Sequence, residues 1–285
     1  MTSPNALLNP TPPRPLFDRL VLAGVLALAL VWLGPMLWVL ALSFKPNALL
    51  MSRADVFLGP PYTVENFTDI LQSSMVFRWL GNSAIVALTQ TAGVLVLSSL
   101  AGYGFARTEF PGRRWLYALV LIGLAVPGQA IFIPLHRMMS GLDLQNTHAG
   151  LILPGLAAPF GVYLMTQYFR AIPAELEEAA LLDNASRFKT FWRVTLPLTL
   201  PAQATLGIFT FLGSWNDYVW PLVIATKPEM YTLTRGLASM QSNYAQSEGL
   251  GFLMAQAVFA AIPVLLVYAF FQKYLVTAVA GTGRR

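Results

Sequence analysis

The chain has 285 residues, of which 56% are hydrophobic and only 11% charged, with a net charge of +5 and no cysteine. Soluble domains carry about a quarter charged residues, so this composition excludes an ordinary soluble globular domain and indicates an integral membrane protein. The missing cysteines exclude disulfides and thiolate metal sites, and the positive balance fits the positive-inside bias of membrane proteins rather than nucleic-acid binding.

Residues 1–19 include Pro4, Pro10, Pro12, Pro13 and Pro15 with few apolar side chains and read as a disordered cytoplasmic tail. A bilayer crossing needs about 20 apolar residues. Six stretches qualify: 20–42, 81–106, 115–137, 150–169, 202–225 and 252–275. They define a transmembrane domain over 20–275, followed by a second cytoplasmic tail over 276–285. Arg14 and Arg19 ahead of the first stretch resemble the start of a signal peptide. Its apolar run is too long for one, and no small-residue cleavage site follows, so it reads as a retained anchor. With six spans both termini share a side. That side carries two thirds of the Lys and Arg residues, among them Arg107, Arg113, Arg114, Arg170, Arg187, Lys189 and Arg193, and is read as cytoplasmic. The expected fold class is an all-α membrane protein with six transmembrane helices.

Outside the first span, Thr63 followed by Asn66, Ile70 and Leu71 predicts a short helix on the outer surface. Span two carries Asn82, Ser83, Thr89, Gln90, Thr91, Ser98 and Ser99 among Gly and Ala, which reads as close helix packing with cross-helix hydrogen bonds; a substrate-lining role is the other reading. Prolines at 35, 127, 154, 159 and 263 predict kinks or breaks. His136 and His148 flank one outer loop and read as surface histidines rather than a metal pair. Asp217, in Ser214-Trp215-Asn216-Asp217-Tyr218, is the one acid well inside a span, about two-thirds of the way across. An ionisable group at that depth makes Asn216 and Asp217 candidates for a translocation pathway. The competing reading is a helix cap near the outer interface. The polar stretch 226–251 is the second outer segment.

Between spans four and five lies a polar loop, 171–201. Pro173 suits the first turn of a helix, and Glu175, Glu177 and Glu178 favour the positive end of its dipole. Leu176, Ala179, Ala180 and Asp183 recur at three- and four-residue spacing, giving a face whose small residues admit another protein's surface. Asn184, which takes a left-handed conformation more readily than most residues, is expected to end the helix. A basic, aromatic segment follows (Arg187, Phe188, Lys189, Phe191, Trp192, Arg193), amphipathic enough to lie along lipid headgroups. Docking to a partner and simple anchoring both fit these features.

Glu178-Ala179-Ala180-x-x-Asp183-Asn184-Ala185 followed by Thr195-Leu196-Pro197 resembles the EAA loop of bacterial ATP-binding-cassette (ABC) import permeases. Ser43-Phe44-Lys45-Pro46, Glu65-Asn66-Phe67, Asn82-Ser83, Ala101-Gly102-Tyr103-Gly104-Phe105-Ala106-Arg107 and Phe110-Pro111-Gly112-Arg113 narrow the resemblance to carbohydrate-importer permeases of the maltose-transporter MalG type. So do Ile133-Pro134-Leu135, Ile172-Pro173-x-Glu175-Leu176, Trp215-Asn216-Asp217, Pro221-Leu222 and Tyr231-Thr232-Leu233; together they cover about 40–275. Asn184 departs from the glycine usual there, and the C-terminus lacks the family's usual ending.

The resemblance implies a permease subunit in the bacterial cell membrane that forms half of a pathway for a sugar or related polyol. Its implied partners are cytoplasmic ABC ATPase subunits, a second homologous permease, an extracytoplasmic solute-binding protein and membrane lipid. It also implies that Glu178, Ala179, Ala180, Asp183, Asn184, Ala185 and Pro197 couple the chain to the ATPase. The chain contains no G-x-x-x-x-G-K-[ST] phosphate loop and no H-E-x-x-H, so it is read as neither an ATPase nor an enzyme, and no cofactor is expected. The alternatives are an ion-coupled secondary carrier using Asp217, an ABC permease for another substrate class, and a membrane scaffold.

Overall fold

The computed structural model describes residues 15–47, 50, 59–72, 75–244 and 249–281, and among them no strand occurs. The expected tail 1–14 lies outside the described residues. The first helix, α1 (Pro15–Ser43), begins earlier than the sequence implies, because its leading proline needs no intrahelical donor. At the other end, the last helix runs on to Gly281, past the expected span end at 275. Its apolar stretch continues through Leu275-Val276-Thr277-Ala278-Val279-Ala280 with nothing to break it; residues 282–285 lie outside the description.

Two compact units divide the chain, Met1–Phe67 with Glu248–Val258 and Thr68–Ser247 with Phe259–Arg285. In the first, α1 exposes Leu26, Leu30, Val31, Trp32, Met36 and Leu37, an apolar surface suited to lipid. Beyond α1 the chain is tied by polar groups. Asn66, at the start of the short helix α2 (Glu65–Gln72), donates to the carbonyls of Ser43 and Lys45 at 2.9 Å each and accepts from Asn47. The fully buried Lys45 ammonium meets the carbonyls of Gly59 and Pro61 and lies 4.2 Å from the centre of the Tyr62 ring. Those carbonyls and the π face replace its water shell. The predicted outer helix near Thr63 is α2, with the Thr63 hydroxyl accepting from the amide of Glu65.

The second unit is organised on α3 (Val76–Arg107), which packs against α6 (His148–Leu156), α7 (Pro159–Ala171) and α11 (Leu200–Asn216). Val94, Met165, Phe169, Phe191, Ala202 and Leu206 form its buried core. Gly102 permits a close approach of α3 to α7: a Cβ there would lie 2.7 Å from that of Met165 and 2.9 Å from the amide of Thr166. Ser98 and Ser99 are buried in the same seam, as the small-residue pattern of span two predicts.

Among the described residues three helices are long and apolar enough to cross a membrane unbroken, including α3 and α14 (Gly249–Gly281), and three bent pairs raise the number to as many as six. Span 115–137 is not one helix. It breaks at Pro127 between α4 (Arg113–Ala125) and α5 (Phe132–Gly141), with a bend of 100°. Span 150–169 breaks between α6 and α7 ahead of Pro159, with a bend of 44°. Span 202–225 ends at Asn216 and restarts as α12 (Val219–Ile224). These breaks at Pro127 and Pro159 follow from the ring's lost donor and its clash with the preceding turn.

Candidate functional site

The EAA segment forms α8 (Ala174–Leu182), with Pro173 just ahead of the first turn and Glu175 and Glu177 within it. Asn184 has φ 55°, a left-handed turn that closes the helix. The amide of Asn184 reaches the carbonyl of Leu181 at 3.0 Å, and that of Ala185 reaches Ala180 at 3.1 Å. This paired closure satisfies carbonyls that a frayed end would leave open, so the helix stops where the sequence places its end.

No residue of α8 is buried. Glu178, Ala179, Asp183 and Asn184 are exposed, Ala180 and Ala185 are half-buried, and Leu182 keeps 84% of its surface. The outward face therefore contains most of the residues expected to meet a partner. Glu177 turns inward instead. Its carboxylate lies 2.9 Å from Nε of Arg107, the last residue of α3, and 3.4 Å from the Tyr103 hydroxyl. Arg107 also donates to the carbonyl of Ile172, which closes α7. Sequence reasoning missed this attachment. The available signal was an arginine ending an apolar span, together with a second glutamate beside Glu178.

Beyond Ser186, whose hydroxyl accepts from the amide of Lys189, the chain forms α9 (Arg187–Thr190) and a π-helical turn, Phe191–Thr195. The basic segment does not simply lie on a surface. Phe191 is buried with its ring 4.9 Å from Tyr103 and 6.1 Å from Phe169, while Phe188 and Trp192 remain exposed. The wider π turn accounts for the split, since it shifts the register by one residue midway. Pro197 is exposed within α10 (Leu196–Leu198), and a 75° bend follows before α11. The side-chain Nε2 of Gln203 donates to the carbonyl of Leu196 at 2.8 Å and to the Thr199 hydroxyl at 2.9 Å, covering polar groups exposed by the bend.

The candidate pathway residues are in ordinary structural roles here. Asn216 is exposed and donates back to Leu212. Asp217 Oδ1 accepts from the amides of Val219 and Trp220 at 3.1 and 3.3 Å, capping α12 across the break. Asn82 and Ser83 do more than pack. Asn82 Nδ2 donates to the carbonyls of Glu229 and Tyr231 at 2.9 Å each, Trp79 Nε1 to Pro228 at 2.8 Å and Arg78 Nε to Glu229 at 3.0 Å. Ser83 Oγ accepts from the amide of Leu233 at 2.8 Å. The first turns of α3 thus hold the segment 226–233, which contains the 3-10 turn Pro228–Met230. His148 Nε2 lies 3.1 Å from Asn82 Oδ1, and Gln145 Nε2 lies 3.0 Å from His136 Nε2.

Residues 94–281 match the family described as binding-protein-dependent transport system inner membrane component. The arabinooligosaccharides transport system permease protein AraQ of Halalkalibacterium halodurans is 32% identical over 272 residues, covering 94% of this chain and 97% of that protein. The diacetylchitobiose uptake system permease protein NgcG of Streptomyces coelicolor is 35% identical over 274 residues, covering 94% and 90%. A crystal structure of a bacterial ABC transporter involved in import of the acidic polysaccharide alginate contains a chain that matches with a TM-score of 0.79 at 23% identity, covering 93% of this chain and 99% of that one.

Proposed function

The chain belongs to the family of binding-protein-dependent transport inner membrane components, an ABC importer permease and not an enzyme; from that premise we propose that it forms half of a sugar pathway driven through α8. The observation that carries this reading is α8 itself. It is an ordered helix with a closed C-terminus and no buried residue, and it displays Glu178, Ala179 and Leu182 outward. A helix so fully exposed yet so firmly ended is suited to a cleft on an ATPase subunit. ATP binding would draw two such subunits together, carry the docked helices with them and open the pathway outward.

The substrate class rests on the relatives, whose names specify arabinooligosaccharides and diacetylchitobiose; a sugar or related polyol is the corresponding cargo here. A second permease, ATPase subunits and an external solute-binding protein complete the assembly. Six spans, both termini in the cytoplasm and a bacterial plasma membrane agree with the Lys and Arg distribution. The exposed apolar side chains of α1 contact lipid. An ion-coupled carrier gains no support, because the Asp217 carboxylate is engaged by two backbone amides.

The test is Ala179→Trp and Glu178→Lys in the full complex. Both variants should insert into the membrane yet lose co-purification with the ATPase subunits and ATP-driven uptake. Normal co-purification and uptake in both would overturn the reading. For the cargo, mass spectrometry of the ligand carried by the co-encoded binding protein should find a carbohydrate; an amino acid or peptide would overturn that assignment.

A further inference from the structure

We infer that Arg107 is the positioning residue that sets the angle of α8, so that α3 is the member through which the docked helix is held. The inference rests on the reading of α8 as the docking element. Arg107 bridges the two sides of one joint. Its guanidinium meets the carbonyl of Ile172, where α7 ends, and the carboxylate of Glu177, in the first turn of α8. A single contact to either side would attach the helix but leave it free to pivot. The guanidinium spans both sides at once, Nη2 donating to the Ile172 carbonyl while Nε lies in charge contact with the Glu177 carboxylate at 2.9 Å, which a lysine's single ammonium does far less well.

The surroundings keep the fork in place. Both side chains of the ion pair are only 15% exposed, and the Tyr103 hydroxyl approaches the second Glu177 oxygen. Tyr103 is itself wedged between Phe169 and Phe191, at 5.5 and 4.9 Å, so one ring touches the elements before and after α8. Arg107 cannot slide along its helix. The Thr108 hydroxyl and amide both return to the carbonyl of Gly104, and Arg113 donates to the carbonyl of Thr108 at 2.7 Å.

The other end of α3 strengthens the inference. Arg78, Trp79, Asn82 and Ser83 grip the segment 226–233 with five hydrogen bonds. Between that grip and Arg107 the helix is continuous and carries no proline. A long unbroken helix gripping structure at both ends is built to move as one piece, so a displacement at segment 226–233 arrives at Glu177.

The absence of native cysteine allows a direct test. Spin labels introduced by E175C, on the exposed first turn of α8, and V96C, on the exposed face of α3, report their separation in the permease assembled with its ATPase subunits. The unperturbed protein should give one narrow distance distribution that shifts on adding MgATP. R107M/E177L replaces the ion pair by apolar groups of similar size, a change that generally preserves folding. It should broaden the distribution and lose the MgATP shift while remaining assembled, with R107K intermediate. A distribution as narrow as the parent's in R107M/E177L, with its shift retained, would overturn the inference. Failure of the ATPase subunits to slow hydrogen exchange along α8 in the unlabelled complex would instead overturn the docking reading beneath it.

Discussion

Segment 226–233 and helix α8 sit against opposite ends of the same helix, and they are held in opposite ways. The segment is held by many contacts: Tyr231, Thr232 and Leu233 are buried, and side chains from α3 take up the carbonyls of Pro228, Glu229 and Tyr231. Asn146 adds its side-chain oxygen, accepting from the amides of Thr226 and Lys227 at 2.7 and 2.8 Å. Helix α8 has no fully buried residue; Glu177 ties it to Arg107 and the Tyr103 hydroxyl, its end is closed, and otherwise it leans only on α9 and the π turn that follow it. The lesson is that exposure here is not looseness. Segment 226–233 is completed by other parts of this chain, whereas α8 is oriented with care and then left largely uncovered, the condition expected of a surface completed by another chain.

Substitutions at the two sites should separate these modes of support. The largest effect is expected from Arg107→Gln, which strands the Glu177 carboxylate and should destabilise the purified permease by about 3–5 kcal/mol, read as a fall in apparent Tm. A Tm within error of the parent's would mean that α8 does not depend on α3. Asn82→Leu removes donors to two carbonyls, and its expected loss is about 3 kcal/mol because buried acceptors are left unmet. Protease sensitivity confined to 226–233 would accompany it. Asn184→Ala forces an ordinary side chain into the left-handed turn and should cost about 1 kcal/mol, while Asn184→Gly should be neutral or better; hydrogen exchange at the amides of Asn184 and Ala185 reports the closure directly. Leu182→Ala, at a fully solvated position, should change permease stability by less than about 0.5 kcal/mol, yet weaken ATPase co-purification. Stability loss there with binding intact would remove the contrast between the two regions.

Much of the docking helix was legible in the linear pattern. Its start after Pro173, its acidic first turn and its end at Asn184 are local matters, decided by groups within four or five residues of one another. The proline breaks at 127 and 159 were legible for the same reason. The inward turn of Glu177 was not, since Glu177 and Glu178 are equivalent as first-turn acids and only the position of Arg107 separates them. Phe191 was likewise grouped with surface aromatics, because a π turn changes which residues share a face and leaves no mark on hydrophobic spacing. Asn82 and Ser83 were read as packing residues; their partners are backbone carbonyls and an amide, groups present at every position and therefore invisible to residue identity.

By itself the sequence determined a helical membrane chain, the stretches that supply its spans and a polar helix with a defined end. Composition, apolar run length and short-range capping act over a few turns and are written into neighbouring residues. Tertiary structure alone decided which glutamate holds α8 and what the first turns of α3 grip. Those outcomes depend on charges and hydrogen-bonding groups far apart in the chain, and only the packing of α3 against α7 and α11 brings them within reach.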